Sequence, residues 1–126
     1  MEMKLAEFLM VLGLATSPSL VHAHGPAEPK YGGIVQEVKE VQYELTHKNG
    51  IVTIYVNDHN GKKTSTAEMS GTLIVMNDSE KQEVVLQPGK DNDLIAQGPA
   101  TVKSGSKIGA ILKGPKGSAQ VRFTVK

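Results

Sequence analysis

Three residues carry groups suited to holding a metal ion: His24, Asp58 and His59. Val21 and Ala23 place small side chains at both cleavage-pocket positions of an exported protein, which predicts processing directly before His24. Such processing would give His24 a free α-amine beside its imidazole, and the two nitrogens can chelate one ion together. Nitrogen donors suit Cu(II), which stands high in the affinity order of divalent metals. The alternative is an unstructured first residue with no role.

Asp58 and His59 are the second part of this candidate site. They lie within residues 57–61, which read Asn-Asp-His-Asn-Gly and directly follow an apolar alternation that ends at Val56. Loops that follow strands commonly carry binding groups, so either side chain could donate to a metal ion. The same composition also fits a polar turn that ends in glycine. The sequence therefore leaves a metal site and a plain turn open.

The other side chains with chemical potential are expected to serve the fold. His47 should cap one end of the core, and Met76, on a strand that is apolar on both faces, should pack inside it. The sequence leaves open whether Met69 packs in the core or provides a thioether ligand. Solvent-facing positions on strands are expected for three carboxylates, Glu37, Glu44 and Glu83.

Composition excludes several classes of function. The 126 residues contain no Cys, which removes disulfides, thiolate metal sites and thiol catalysis. The formal charge is +1 with a single Arg, which does not fit a nucleic-acid surface. Nucleophile elbows, phosphate-binding glycine loops and His-Glu-x-x-His pairs are absent from the sequence, so we expect a protein that is not an enzyme.

Residues 1–23 are predicted to be a signal peptide. Phe8 to Ala15 is an apolar stretch of the length of a signal core, far short of the roughly 20 residues that cross a bilayer. We therefore expect a periplasmic or secreted protein without a membrane span in its mature form. Cleavage after Ser17 or Ser19, or an uncleaved N-terminal helix, are the alternatives.

The remaining chain divides into an arm and one domain. Residues 24–30 contain two Pro and one Gly and predict a flexible N-terminal arm. Residues 31–126 alternate apolar and polar side chains between regularly spaced turn signals, which predicts an all-β domain. The clearest hairpin turns at Asn49-Gly50 and should pair Leu45 with Ile54.

Further hairpins are predicted on both sides of Asp78-Ser79-Glu80 and of Pro115-Lys116. About eight strands result, with residues 64–69 open between strand and loop. This pattern is typical of a single antiparallel β-sandwich (Ig-like) or a small barrel, and periodicity alone does not distinguish them.

Several short segments resemble a family of small periplasmic β-domains associated with heavy-metal efflux systems, also found as N-terminal modules of some metal efflux adaptor subunits. The segments are His24-Gly25, residues 30–35 (Lys-Tyr-Gly-Gly-Ile-Val), residues 43–45 (Tyr-Glu-Leu), residues 55–59 (Tyr-Val-Asn-Asp-His) and residues 121–123 (Val-Arg-Phe). In that group a His often precedes the paired glycines, where this chain has Tyr31. The resemblance implies an envelope location and keeps His24 and His59 as candidate ligands.

Two functions follow as hypotheses. The first is an exported accessory protein that binds copper or another divalent ion and buffers it or delivers it to an efflux system. The second is a metal-free interaction module that binds an envelope protein, such as an efflux adaptor, by strand addition at a sheet edge.

Overall fold

The computed structural model describes residues 27–126, and all regular secondary structure in this range is β-strand. The all-β prediction is therefore confirmed. The predicted signal peptide and His24 lie outside the described residues. The eight strands are β1 (Ile34–Val38), β2 (Val41–Lys48), β3 (Ile51–Asp58), β4 (Ser70–Asn77), β5 (Glu80–Pro88), β6 (Asp93–Ala96), β7 (Lys107–Gly114) and β8 (Gly117–Thr124).

The strands form one antiparallel sheet in the order β1-β2-β3-β6-β5-β4-β7-β8. The sheet curls until its two end strands, β1 and β8, lie against each other. The domain is thus a nearly closed barrel, which resolves the choice that the sequence left open. The connections from β3 to β4 and from β6 to β7 carry the chain past neighbouring strands, so the strand order departs from a simple meander.

The predicted hairpin at Asn49-Gly50 has the expected register. Leu45 pairs with Ile54, and both turn residues have positive φ, 53° for Asn49 and 81° for Gly50. Such a turn matches the twist of the flanking strands. The β7–β8 hairpin likewise turns at Pro115 and Lys116 as predicted, and residues 64–69 form a loop.

The turn between β1 and β2 contains no residue type that predicts a hairpin turn. β1 and β2 are joined by Lys39 and Glu40, whose φ angles are 52° and 66°. Left-handed backbone normally favours Gly or Asn because a Cβ is crowded there. Strand pairing on both sides imposes the conformation on two residues that do not prefer it.

The interior is built mainly from aliphatic side chains, with two aromatic residues, Tyr43 and Phe123, among them. Ile54, Leu73, Leu86 and Leu94 are fully buried, and Phe123 from β8 packs among them. These residues alternate with outward-facing ones along each strand, as the period of two requires. Met76 departs from expectation: it points outward and is 36% exposed, because the outer face of β4 has no covering layer within residues 27–126.

Candidate functional site

Asp58 shapes the loop that follows β3. Its Oδ1 accepts hydrogen bonds from the backbone N–H groups of Asn60 and Lys62, both at 2.9 Å. The Asp58 N–H donates to the Lys62 carbonyl at 2.7 Å, which closes the loop. At least one oxygen of this predicted ligand therefore has a structural task, as the polar-turn interpretation expects.

His59 has a carboxylate beside it that the sequence did not indicate. Its Nδ1 lies 3.3 Å from Oε2 of Glu37, and both side chains are 39% exposed. Glu37 pairs with Gln42 across the first hairpin, and the Gln42 side-chain amide donates to the His59 carbonyl at 3.3 Å. Sheet register thus brings two residues that are 22 positions apart into contact.

The chain enters the domain through a short strap, defined here as residues 30–33. Glu44, on the outer face of β2, accepts backbone hydrogen bonds from Lys30 at 2.7 Å and from Tyr31 and Gly33 at 2.8 Å. The carboxylate is buried, with the residue only 2% exposed. The expectation that Glu44 faces solvent is therefore wrong, because the strap covers it.

Aromatic packing is a second interaction that holds the strap against the barrel. The ring of Tyr31 stacks on the ring of Tyr55, with centroids 3.8 Å apart and planes inclined by 10°. The Asn92 amide donates to the Tyr31 hydroxyl at 3.3 Å and to the Asn57 side chain at 3.1 Å. The strap, β3 and the loop before β6 therefore form one connected unit.

Each of the two paired glycines of the strap is required for a different geometric reason. Gly32 has a φ of 78°, which L-residues with a side chain rarely adopt. Gly33 has no room for a side chain, because a Cβ would lie 2.1 Å from the carbonyl oxygen of Leu45. The Gly-Gly motif thus lets the chain cross closely over β2.

Lys30 connects the strap to the loop that carries His59. Its Nζ donates to the carbonyl oxygen of Gly61, two residues beyond His59. The N-terminal arm therefore reaches the domain next to Asp58, His59 and Glu37. A further ion pair, Lys63 to Asp91 at 2.8 Å, flanks the same loop, and Asp91 raises the pKa of Lys63.

The remaining candidates lie apart from this loop. His47 is exposed near the opposite end of β2, and Met69 packs against the edge of the core beside Gly114. Within residues 27–126 no group of three or more His, Cys, Asp or Glu side chains has the geometry to hold a metal ion. Of the potential metal ligands in the described domain, His59 and Glu37 are the two whose side chains lie in contact.

Comparison of the chain with protein-family models, curated proteins and solved structures finds no match. In the described part of the chain, no helix has the length and hydropathy to span a membrane. The geometry around His59 and the chemistry of the sequence are therefore the features of this protein that point to a function.

Proposed function

We propose that this protein is an exported accessory protein of the cell envelope that binds a divalent metal ion, with Cu(II) preferred. It would buffer the ion or deliver it to an efflux system. The donors would be the α-amine and imidazole of His24, the imidazole of His59 and the carboxylate of Glu37. The observation that carries the proposal is the His59–Glu37 pair beside the point where the arm meets the barrel.

The separation within this pair suits two ligands of one ion. Donors bonded to a metal at about 2.0–2.1 Å lie about 2.9 Å apart at a right angle and about 3.3 Å apart at the tetrahedral angle. His59 Nδ1 and Glu37 Oε2 are 3.3 Å apart. Both side chains are partly exposed, so an ion could approach from solvent without displacing core packing.

The length of the arm permits His24 to complete the set. His24 precedes Lys30 by six residues, which span at most about 20 Å when extended. Lys30 itself contacts Gly61, two positions from His59. Three nitrogens and one oxygen form a donor set that Cu(II) prefers, and the right angles of a tetragonal site would bring His59 Nδ1 and Glu37 Oε2 from 3.3 Å to about 2.9 Å. In this proposal Glu37 replaces Asp58, whose Oδ1 accepts two loop hydrogen bonds.

Copper titration of the mature form tests this assignment. We expect His24→Ala, His59→Ala and Glu37→Gln each to weaken Cu(II) binding by about tenfold or more in calorimetry. The matched control is His47→Ala, an exposed histidine elsewhere on the sheet, which should leave affinity unchanged. If His59→Ala and Glu37→Gln bind as the wild type does, and no tighter than a His-Gly-Pro peptide, the proposal fails.

A second candidate function, partner binding, is favoured by an exposed apolar stripe on the outer face of the barrel. Val85, Ile111 and Met76 are 55%, 38% and 36% exposed. Thr72 of β4 pairs with both Val85 and Ile111, so these two residues share one row, and Met76 lies four residues further along β4 on the same face. The lysines that pair with Met76, Lys81 and Lys107, give the stripe a positive end.

This stripe would suit an envelope protein with an apolar face and an acidic rim, such as an efflux adaptor. Binding through this stripe differs from strand addition at a sheet edge, because the end strands β1 and β8 already lie against each other. Capture of one adaptor from an envelope fraction should survive a chelator and be lost in an Ile111→Ser, Val85→Ser variant. Capture that is lost with chelator and kept by the variant would exclude this candidate.

A further inference from the structure

One end of the barrel opens into a cavity of about 230 Å³. We call it the mouth. It lies between the turn that joins β1 to β2 and the turn that joins β7 to β8. Its walls are mainly apolar and include Val38, Val41, Val56, Met69 and Leu112. Because the first hairpin and the last one are far apart in sequence, only the curled sheet creates this cavity.

Tyr43 lines the mouth and has an unusual polar environment. The residue is 5% exposed, yet its hydroxyl makes no hydrogen bond to any residue in the range 27–126. A buried polar group without a partner destabilises the folded state. Burial also raises the pKa of this phenol.

Each of the other buried polar side chains of the described domain has at least one hydrogen-bond partner, which Tyr43 lacks. Thr66 donates to the Asp93 carbonyl at 2.7 Å, Asn77 donates to the Thr101 carbonyl at 2.8 Å, and Glu44 accepts three backbone hydrogen bonds. Buried polar groups in folded proteins nearly always have such partners. Tyr43 is thus a lining residue of the mouth whose hydroxyl has no partner among residues 27–126.

The charged residues that line the mouth are all lysines, although Glu40 stands beside Lys39 in the β1–β2 turn without lining the cavity. Lys39, Lys113 and Lys116 are among its lining residues, and no Asp or Glu in the described part of the chain lines it. A cationic rim around an apolar cavity attracts an anion with an apolar body. The volume holds about eight water- or methylene-sized groups, since each occupies about 30 Å³ in a liquid.

We propose that the mouth binds a small amphiphilic anion, a medium-chain carboxylate of about eight carbons. Its hydrocarbon chain would pack against Val41, Met69 and Leu112, and its carboxylate would accept a hydrogen bond from the Tyr43 hydroxyl within the field of the three lysines. The proposal stands independently of metal binding, because it uses none of the proposed metal ligands.

Octanoate is the probe for this site, measured by calorimetry and by amide NMR shifts on the mature protein. Octanoate should bind and shift the amides of the mouth, whereas octylammonium should not bind. Tyr43→Phe should weaken binding by about tenfold. Lys39→Ala combined with Lys116→Ala should weaken it as well, and Lys103→Ala, which is not part of the mouth, should not.

Two further measurements test the octanoate site independently of the Tyr43 and lysine variants. Ala119→Leu places extra volume in the mouth and should block octanoate while the domain stays folded by circular dichroism. Absorbance titration at alkaline pH should show the Tyr43 phenol ionising later when octanoate is bound. Equal binding of octanol and octanoate, insensitivity to Tyr43→Phe, or binding only to anionic lipid vesicles would each overturn the proposal.

Discussion

The ring of Tyr31 lies on the ring of Tyr55, 3.8 Å away between centroids, and this stack holds the entry strap on the outside of β3. Aromatic pairs contribute about 0.5–1.5 kcal/mol beyond the area they bury. Together with the hydrogen bonds to Glu44, the stack holds Lys30 near the loop of His59. The start of the described chain thus has a defined place beside the candidate metal site.

The first prediction concerns the buried carboxylate of Glu44. In Glu44→Gln the amide nitrogen can take the place of Oε1, where it faces the Lys30 N–H and removes that hydrogen bond, while the bonds from Tyr31 and Gly33 lose their charged acceptor. We expect the free energy of unfolding to fall by about 1.5–3 kcal/mol. Urea denaturation measures it. Glu83→Gln, on an exposed strand position, is the control and should change little; equal effects of the two substitutions would contradict the prediction.

The second prediction separates two glycines that look alike in the sequence. Gly33→Ala would place a Cβ against the Leu45 carbonyl and should destabilise the domain by about 1–3 kcal/mol or more. Gly109→Ala meets nothing within 4 Å and should leave stability unchanged or slightly higher. Thermal unfolding of both variants checks this, and the reverse order of their melting temperatures would refute it.

The third prediction tests the loop before β4. The buried Thr66 hydroxyl donates to the Asp93 carbonyl and anchors residues 64–69 to β6. Thr66→Val keeps the shape but removes this hydrogen bond, while the Asp93 carbonyl keeps the Gly89 N–H as a donor at 2.8 Å. Unfolding should therefore become easier by about 0.5–1.5 kcal/mol. Denaturant midpoints measure the loss. Thr124→Val, on an exposed position of β8, serves as control and should shift the midpoint far less.

The fourth prediction is a pH dependence that arises from Tyr43. Burial raises the pKa of its phenol above the ordinary value of 10.0. The unfolded chain therefore releases this proton at lower pH than the folded protein, so stability falls as pH rises from the ordinary value towards the raised one. Tyr43→Phe removes this contribution.

Denaturation curves of wild type and Tyr43→Phe should differ by a constant free energy at neutral pH. Above about pH 10 the wild type should lose stability faster than the variant. Because the chain has three Tyr, the difference in tyrosinate absorbance between wild type and Tyr43→Phe during the titration reports the ionisation of this phenol. Parallel stability profiles over the whole alkaline range would show that burial of Tyr43 has no such effect.

The sequence predicted the elements well where local chemistry decides them. Asn49-Gly50 carries its own turn preference, and the alternation around Leu45 and Ile54 allows only one register with both side chains inside. It predicted the turn at Lys39 and Glu40 poorly, since neither residue favours positive φ. The prediction that Met76 packs in the core is wrong, because an apolar strand has the same sequence pattern whether or not a second layer of structure covers it.

The sequence by itself determined the strands, most turns and the presence of His59 and Asp58 in a strand-end loop. Only the tertiary structure decided that the sheet curls into a barrel, that Glu44 is buried beneath the strap and that Glu37 lies beside His59. The physical reason is range. Alternation and turn preference act over a few residues, whereas these contacts join positions 11 to 22 residues apart through sheet closure and register.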